Sequence, residues 1–240
     1  PLDYDTLAVE YARLRQVHPG VLRDLIATGG LNAASQVLDV GCGTGNYLAA
    51  LEKATRCSDC GIEPSEAMLS RARGRVPRAR LQLSRAEELE FLAASFHLVF
   101  SVDVIHHVQD RAEYFRRACR VLKPGGKICT VTDSEELIRG RRPLSTYFPE
   151  TVEKELQRYP RLPELRNLMG RAGLINFVEN VVELAFNLTD LAPYRDRSFS
   201  CLRLIPEEAF LRGLRRMEDD LRAGPIKCVA QYVMLGGSRA

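Results

Sequence analysis

Residues 37 to 45 read Val-Leu-Asp-Val-Gly-Cys-Gly-Thr-Gly, and no other stretch constrains the fold as much. The first four predict a buried strand that runs straight into a turn. Glycines at alternate positions, Gly41, Gly43 and Gly45, let the backbone reverse sharply and keep side chains away from whatever approaches it. The run from Tyr47 to Ala54 then predicts a helix, whose first N–H groups face an anionic or polar ligand.

Strand and helix patterns alternate onward from this point. Strands are expected at 36–40, 60–63, 80–84, 97–102 and 127–133. Helices are expected at 65–74, with Ser65 as N-cap, and at 111–122, ended by Lys123-Pro124-Gly125-Gly126. Upstream, 3–17 and 20–28 predict helices. Downstream, 149–172 predicts helix broken near Pro160 and Pro163, 174–186 a strand, 206–223 an amphipathic helix, and 226–235 a last strand. Phe210, Leu214, Met217 and Leu221 form one stripe of that helix, read as core or, alternatively, as a substrate wall. Repeated strand-then-helix steps give an α/β, doubly wound, mostly parallel sheet of seven strands. Such sheets bind ligands outside the carboxyl ends of their strands.

The 240 residues, 45% hydrophobic, suffice for one sizeable core. No apolar run approaches the roughly 20 residues of a membrane span, and no signal peptide is read at the start. A net charge of +3 is too mild to argue for nucleic acid. Seven scattered cysteines predict reduced thiols and a cytoplasmic setting. Cys57-x-x-Cys60 lacks a second pair to complete a metal site, so no metal is expected.

Glu63 ends the second strand and is placed to accept hydrogen bonds from a ribose. A dinucleotide fingerprint would need a third glycine where Asn46 stands. The landmarks VLDVGCGTGNYL, GIEPSEAML, SRAEEL, FHLVFSVDVIHHV and RVLKPGGKICTV, across residues 35 to 133, resemble the class I S-adenosylmethionine (SAM) methyltransferases. The resemblance is to the branch related to the menaquinone and ubiquinone C-methyltransferases and to many small-molecule methyltransferases.

The resemblance implies a Rossmann-like sheet with SAM as cofactor and S-adenosylhomocysteine as product. It implies a single domain over 1–240, with lid helices at 1–34, a SAM-binding core at 35–133, an acceptor cap at 134–224 around the sixth strand, and the last strand at 225–240. Asp39 and Gly45 complete the glycine motif, while Gly41, Cys42 and Gly43 approach the methionine part of SAM. Glu63 holds the ribose, Pro64 and Met68 flank the adenine, and Ala86 offers it a backbone N–H. The Ser101 carbonyl faces the SAM amino group, and Tyr4 and Tyr11 belong to the lid. The chain departs from the family at Arg85, where an Asp usually contacts the adenine amino group, and at His97, usually Asp.

Methyl transfer is an in-line displacement that asks the protein mainly for alignment and for exclusion of water. Candidate bases past the fourth strand are Asp103, His106 and His107, with Asp133 ending the fifth. Asp103 and His106, three apart, are expected on one helical face. The alternative role for His106 is packing at the rim. Ser-Val-Asp-Val replaces the Asn/Asp/Ser-Pro-Pro-Tyr motif of amino methyltransferases acting on nucleobases. Arg139, Arg141 and Arg142 are candidates for an anionic acceptor. Arg71, Arg73, Arg75, Arg78 and Arg80 fall at the opposite end of the sheet and read as a solvated face or a site for an anionic partner. The expected acceptor is a small molecule. Competing readings are a catalytically silent SAM-binding regulatory module, an arsenite methyltransferase using Cys129, Cys201 and Cys228, and a nicotinamide oxidoreductase.

Overall fold

The computed structural model describes residues 16–240. Tyr4, Tyr11 and nearly all of the expected helix 3–17 lie outside the described residues. Gln16 to His18 have no regular structure and lead into α1 (Pro19–Gly29), which His18 caps by accepting from Val21 N. Gly30, in the left-handed region at φ 55°, ends it.

The central strands are β1 (Gln36–Val40), β2 (Ser58–Glu63), β3 (Arg80–Leu83), β4 (Phe96–Val102) and β5 (Leu122–Thr132). Between them come α2 (Asn46–Thr55), α3 (Glu66–Arg75) and α4 (Arg111–Val121). After β5 follow α5 (Glu135–Gly140), α6 (Leu144–Tyr147), α7 (Glu150–Arg158) and α8 (Leu162–Arg171). The chain closes with β6 (Leu174–Leu188), α9 (Ala192–Arg195), α10 (Glu207–Ala223) and β7 (Ile226–Arg239).

The seven strands form one sheet in the order β3-β2-β1-β4-β5-β7-β6. The first five are parallel, and β7 inserts antiparallel to both neighbours. The order reverses between β1 and β4, so the glycine turn after β1 stands at the switch point. The doubly wound sheet read from the alternation is therefore the one observed.

Two punctuation marks act differently from expectation. Lys123 to Gly126 do not separate a helix from a fresh strand; they form a bulge inside β5, where the pairing jumps from Phe96↔Leu122 to Leu98↔Lys127. Pro163 does not break a helix but opens α8 in its first turn, where a missing N–H costs nothing; only Pro160 lies at the break.

Burial divides into three clusters. One, with Leu38, Phe115 and Leu165, packs α4 and α8 on one face of the sheet. A second, with Leu25, Leu48 and Phe100, packs α1, α2 and α3 on the other. The third, with Phe148, Tyr194 and Leu202, holds the helical layer after β5 together. Phe210 and Met217 are buried there, with Leu214 and Leu221 packed beside them, so the α10 stripe is core. Gly213 makes room for that packing, since a Cβ there would meet Phe148 Cδ1 at 2.4 Å.

Candidate active site

The turn after β1 is held by the strand beside it. Gly41 N and Cys42 N both donate to Ile62 O, at 2.8 and 2.9 Å. Glu63 then clasps the turn: one carboxylate oxygen accepts from Gly43 N and the other from Ser65 N, each at 3.0 Å. Gly41, Gly43 and Gly45 have φ of 75°, 53° and 78°, the left-handed region that side chains resist. At Gly41 there is also no room, because a Cβ would lie 2.5 Å from Val104 Cγ2.

Two cavities flank this turn. A small one, about 60 Å³, is lined by Asp39, Thr44, Asn46, Tyr47 and the glycine backbone. A larger one, about 260 Å³, runs along the carboxyl ends of the strands. At one end lie Gly41, Gly43, Glu63, Pro64 and Met68. At the other lie Asp103, His106, Asp133, Arg141 and Tyr159, walled by Phe186, Tyr194, Phe199 and Tyr232. Buried Asp39 is held well above the usual carboxylate range, first by desolvation and then by the charges of Glu63 and Asp59. Two carboxyl groups thus stand beside the glycine turn.

Asp103 and His106 do not share a helical face. Asp103 has φ 61° and precedes a single 3-10 turn, Ile105–His107, so helical spacing does not reach back to it. They converge instead on Tyr159. The Tyr159 hydroxyl donates to Asp103 Oδ1 at 3.1 Å, and its ring stacks on His106 with centroids 4.1 Å apart. The His107 ring lies tilted beside His106, with centroids 4.0 Å apart.

The three arginines separate. Arg139 is exposed and does not line the cavity. Arg141 reaches inward between carboxylates: Nη2 contacts Asp133, and Nη1 donates to Glu155 Oε2 at 3.0 Å. Glu155 also accepts from Arg158 at 2.6 Å. Burial pushes Asp133 up to about 7, while Arg141 pulls it down and Asp103 adds to the rise. Arg142 lines the cavity and forms no ion pair among the described residues. Ala86 opens a 3-10 turn and packs in the core, and Ser101 is buried in β4 beside Thr130 of β5; neither lines either of these two cavities, though Val102 and Asp103 do. Cys42 is buried, and its Sγ would lie 2.8 Å from a Cβ at Gly61, which makes its contact with β2 a packing contact.

The residue whose role nothing in the sequence marks is Tyr159. It sits 56 positions from Asp103, and nothing local marks it. Glu155 was missed for the same reason. The cysteines are all unpaired, and the Cys57 thiol donates to Asp59 at 3.1 Å. Among the described residues no group of three or more His, Cys, Asp or Glu is placed to hold a metal, which leaves the arsenite reading without a thiol cluster.

Residues 38–130 match a family profile described as a methyltransferase domain. A 27-O-demethylrifamycin SV methyltransferase of Amycolatopsis mediterranei is 35% identical over 104 residues, covering 41% of this chain and 38% of the relative. A demethylmenaquinone methyltransferase of Shouchella clausii is 32% identical over 130 residues, covering 51% of this chain and 55% of the relative. The chain thus spans little over a third to about half of these relatives' lengths. Among solved structures, the YcgJ protein of Bacillus subtilis superposes with a TM-score of 0.62 at 20% identity, covering 92% of this chain and 99% of that one. A phosphoethanolamine N-methyltransferase 2 of Haemonchus contortus gives 0.62 at 22% identity, covering 98% of this chain and 57% of that one. Matching landmarks over the glycine turn and matching topology over the whole sheet lead to one assignment: residues 38–130 are a methyltransferase domain, in a chain with the fold of the class I methyltransferases.

Proposed function

We propose that the chain is a SAM-dependent methyltransferase acting on a small molecule. The observation that carries this reading is the shape of the larger cavity: its glycine end and its aromatic end are continuous along the strand termini. Two ligands placed there meet end to end, the geometry an in-line transfer requires.

The residues fit SAM better than a dinucleotide. Glu63 sets a carboxylate at the glycine end of the cavity, which suits a cationic ligand and opposes the pyrophosphate of a dinucleotide. Glu63 suits a ribose, because its carboxylate lines the glycine end of the cavity as an acceptor for hydroxyl groups. Pro64 and Met68 supply apolar surface for a flat base. When bound, SAM supplies a methyl group already activated by its sulfonium.

The chain's own part is placement. Tyr159 orients Asp103 and His106 at the aromatic end of the cavity, where His106 is the candidate base and Asp103 its neighbour in the site. Phe186, Tyr194 and Phe199 exclude water and suit an acceptor with an apolar or aromatic body. Arg142 is the cation available to an anionic group on that acceptor, since Arg141 is engaged by Asp133 and Glu155. The helical layer around β6 is read as the acceptor cap. Seven unpaired thiols suit a reducing compartment, which favours the cytoplasm.

A labelled-methyl screen over small-molecule acceptors tests the activity. Transfer to one chemical class is expected, with slower turnover in His106→Ala. SAM binding without transfer to any acceptor would point to a silent binding module instead.

A further inference from the structure

A second concavity lies at the other end of the sheet. It is a groove of about 940 Å³ at the amino ends of β1, β2, β3 and β4, larger than the cavity at the carboxyl ends. Five cations line it, Lys53, Arg56, Arg75, Arg78 and Arg80, against two carboxylates, Glu52 and Asp59. Arg78 pairs with Glu52 at 3.6 Å, whereas Lys53, Arg56, Arg75 and Arg80 form no ion pair among the described residues. The fold sets these charges on two separate elements. Lys53 and Arg56 share the last turn and cap of α2, and Arg75, Arg78 and Arg80 follow the turn from α3 into β3.

The helix dipole favours a cation at a helix C-terminus, which accounts for Lys53, Arg56 and Arg75. It does not account for Arg78 and Arg80 joining them in the same groove. Arg80 is further held over the Phe91 ring, its guanidinium carbon 5.5 Å from the centroid. All five cations are exposed, and like charges gathered around one groove raise the local concentration of anions. A cavity of this volume accommodates a ligand of metabolite size.

We propose that this groove binds a small multivalent anion, a molecule carrying two or more phosphate groups, bridged between the α2 end and the α3–β3 turn. A net charge of only +3 and the confinement of these cations to one concavity favour a compact ligand over a nucleic acid track.

Calorimetry of the full chain with sodium tripolyphosphate tests this. One site is expected, weakened at high salt and unaffected by saturating SAM, whose proposed site is at the opposite end of the sheet. Arg75→Gln/Arg80→Gln and Lys53→Gln/Arg56→Gln should each weaken binding at least about tenfold, while Arg215→Gln, exposed on α10, leaves it unchanged. On the unaltered protein, tripolyphosphate should protect Arg75 and Arg80 from phenylglyoxal, read by peptide mapping. Absence of binding, or binding that survives both pairs of substitutions, overturns the proposal. So does tighter binding of a single-stranded oligonucleotide than of tripolyphosphate, which would make the groove a nucleic acid surface.

Discussion

Tyr159, at the end of α7, donates its hydroxyl to Asp103 Oδ1 at 3.1 Å, at the carboxyl end of β4. Through this bond and its stacking on His106 the helical layer is fastened to the sheet beside the glycine turn. Tyr159→Phe keeps the stack and loses the bond. It is expected to cost about 1 kcal/mol of stability and to lower kcat with SAM affinity retained. Tyr159→Ala, which also frees the His106 ring, should lower kcat further. Denaturant melts, calorimetry with SAM and a labelled-methyl assay separate these effects; equal losses of kcat in both variants would leave the stack without a role.

Gly41→Ala places a methyl group 2.5 Å from Val104 at a φ of 75°. Strain of about 1–3 kcal/mol is expected, together with loss of measurable SAM binding. Gly74→Ala, in α3 with open space around its Cβ, should be neutral or stabilising. Paired thermal melts and SAM titrations check both.

Arg141 lies between Asp133 and Glu155, which joins the end of β5 to α7. Arg141→Met leaves buried Asp133 without its cationic partner and Glu155 with Arg158 alone, and should destabilise by about 3–5 kcal/mol. Adding Asp133→Asn and Glu155→Gln should restore part of that loss. Arg139→Gln, exposed and outside the cavity, should stay within about 0.5 kcal/mol of the parent. Urea unfolding of the series measures the differences.

Asp59 is buried beside the Cys57 thiol, and desolvation raises it from 3.8 to about 6. The folded state therefore holds this proton more tightly than the unfolded chain does. That contribution to stability is complete below the unfolded value of 3.8 and is lost as pH rises through about 6. Asp59→Asn should match the parent at pH 4 and exceed it by on the order of 1–3 kcal/mol at pH 8. Chemical denaturation at the two pH values checks the sign.

The parallel core was legible because its signals are local. Val37 to Gly45 carry strand, turn and helix start in nine residues, and Ser65 caps α3 through Met68 N as its position suggested. Glu63 was legible as a strand-end acid, but its grip on Gly43 N requires the register of β2 beside β1. The contacts at the aromatic end of the cavity were not legible. Tyr159, Glu155 and Tyr194 reach it from elements whose placement is decided by packing around Phe148 and Phe210. Asp103 was named correctly as a rim residue but given the wrong neighbour geometry, since its left-handed φ breaks the helical spacing that sequence distance implied.

The most direct measurement is calorimetry of the chain with SAM, S-adenosylhomocysteine and NAD, repeated on Glu63→Gln. The account predicts one site for SAM and for S-adenosylhomocysteine, no binding of NAD, and at least about tenfold weaker SAM binding when the amide removes one of the two acceptors holding Gly43 and Ser65. Binding of NAD with neither SAM nor S-adenosylhomocysteine would contradict it.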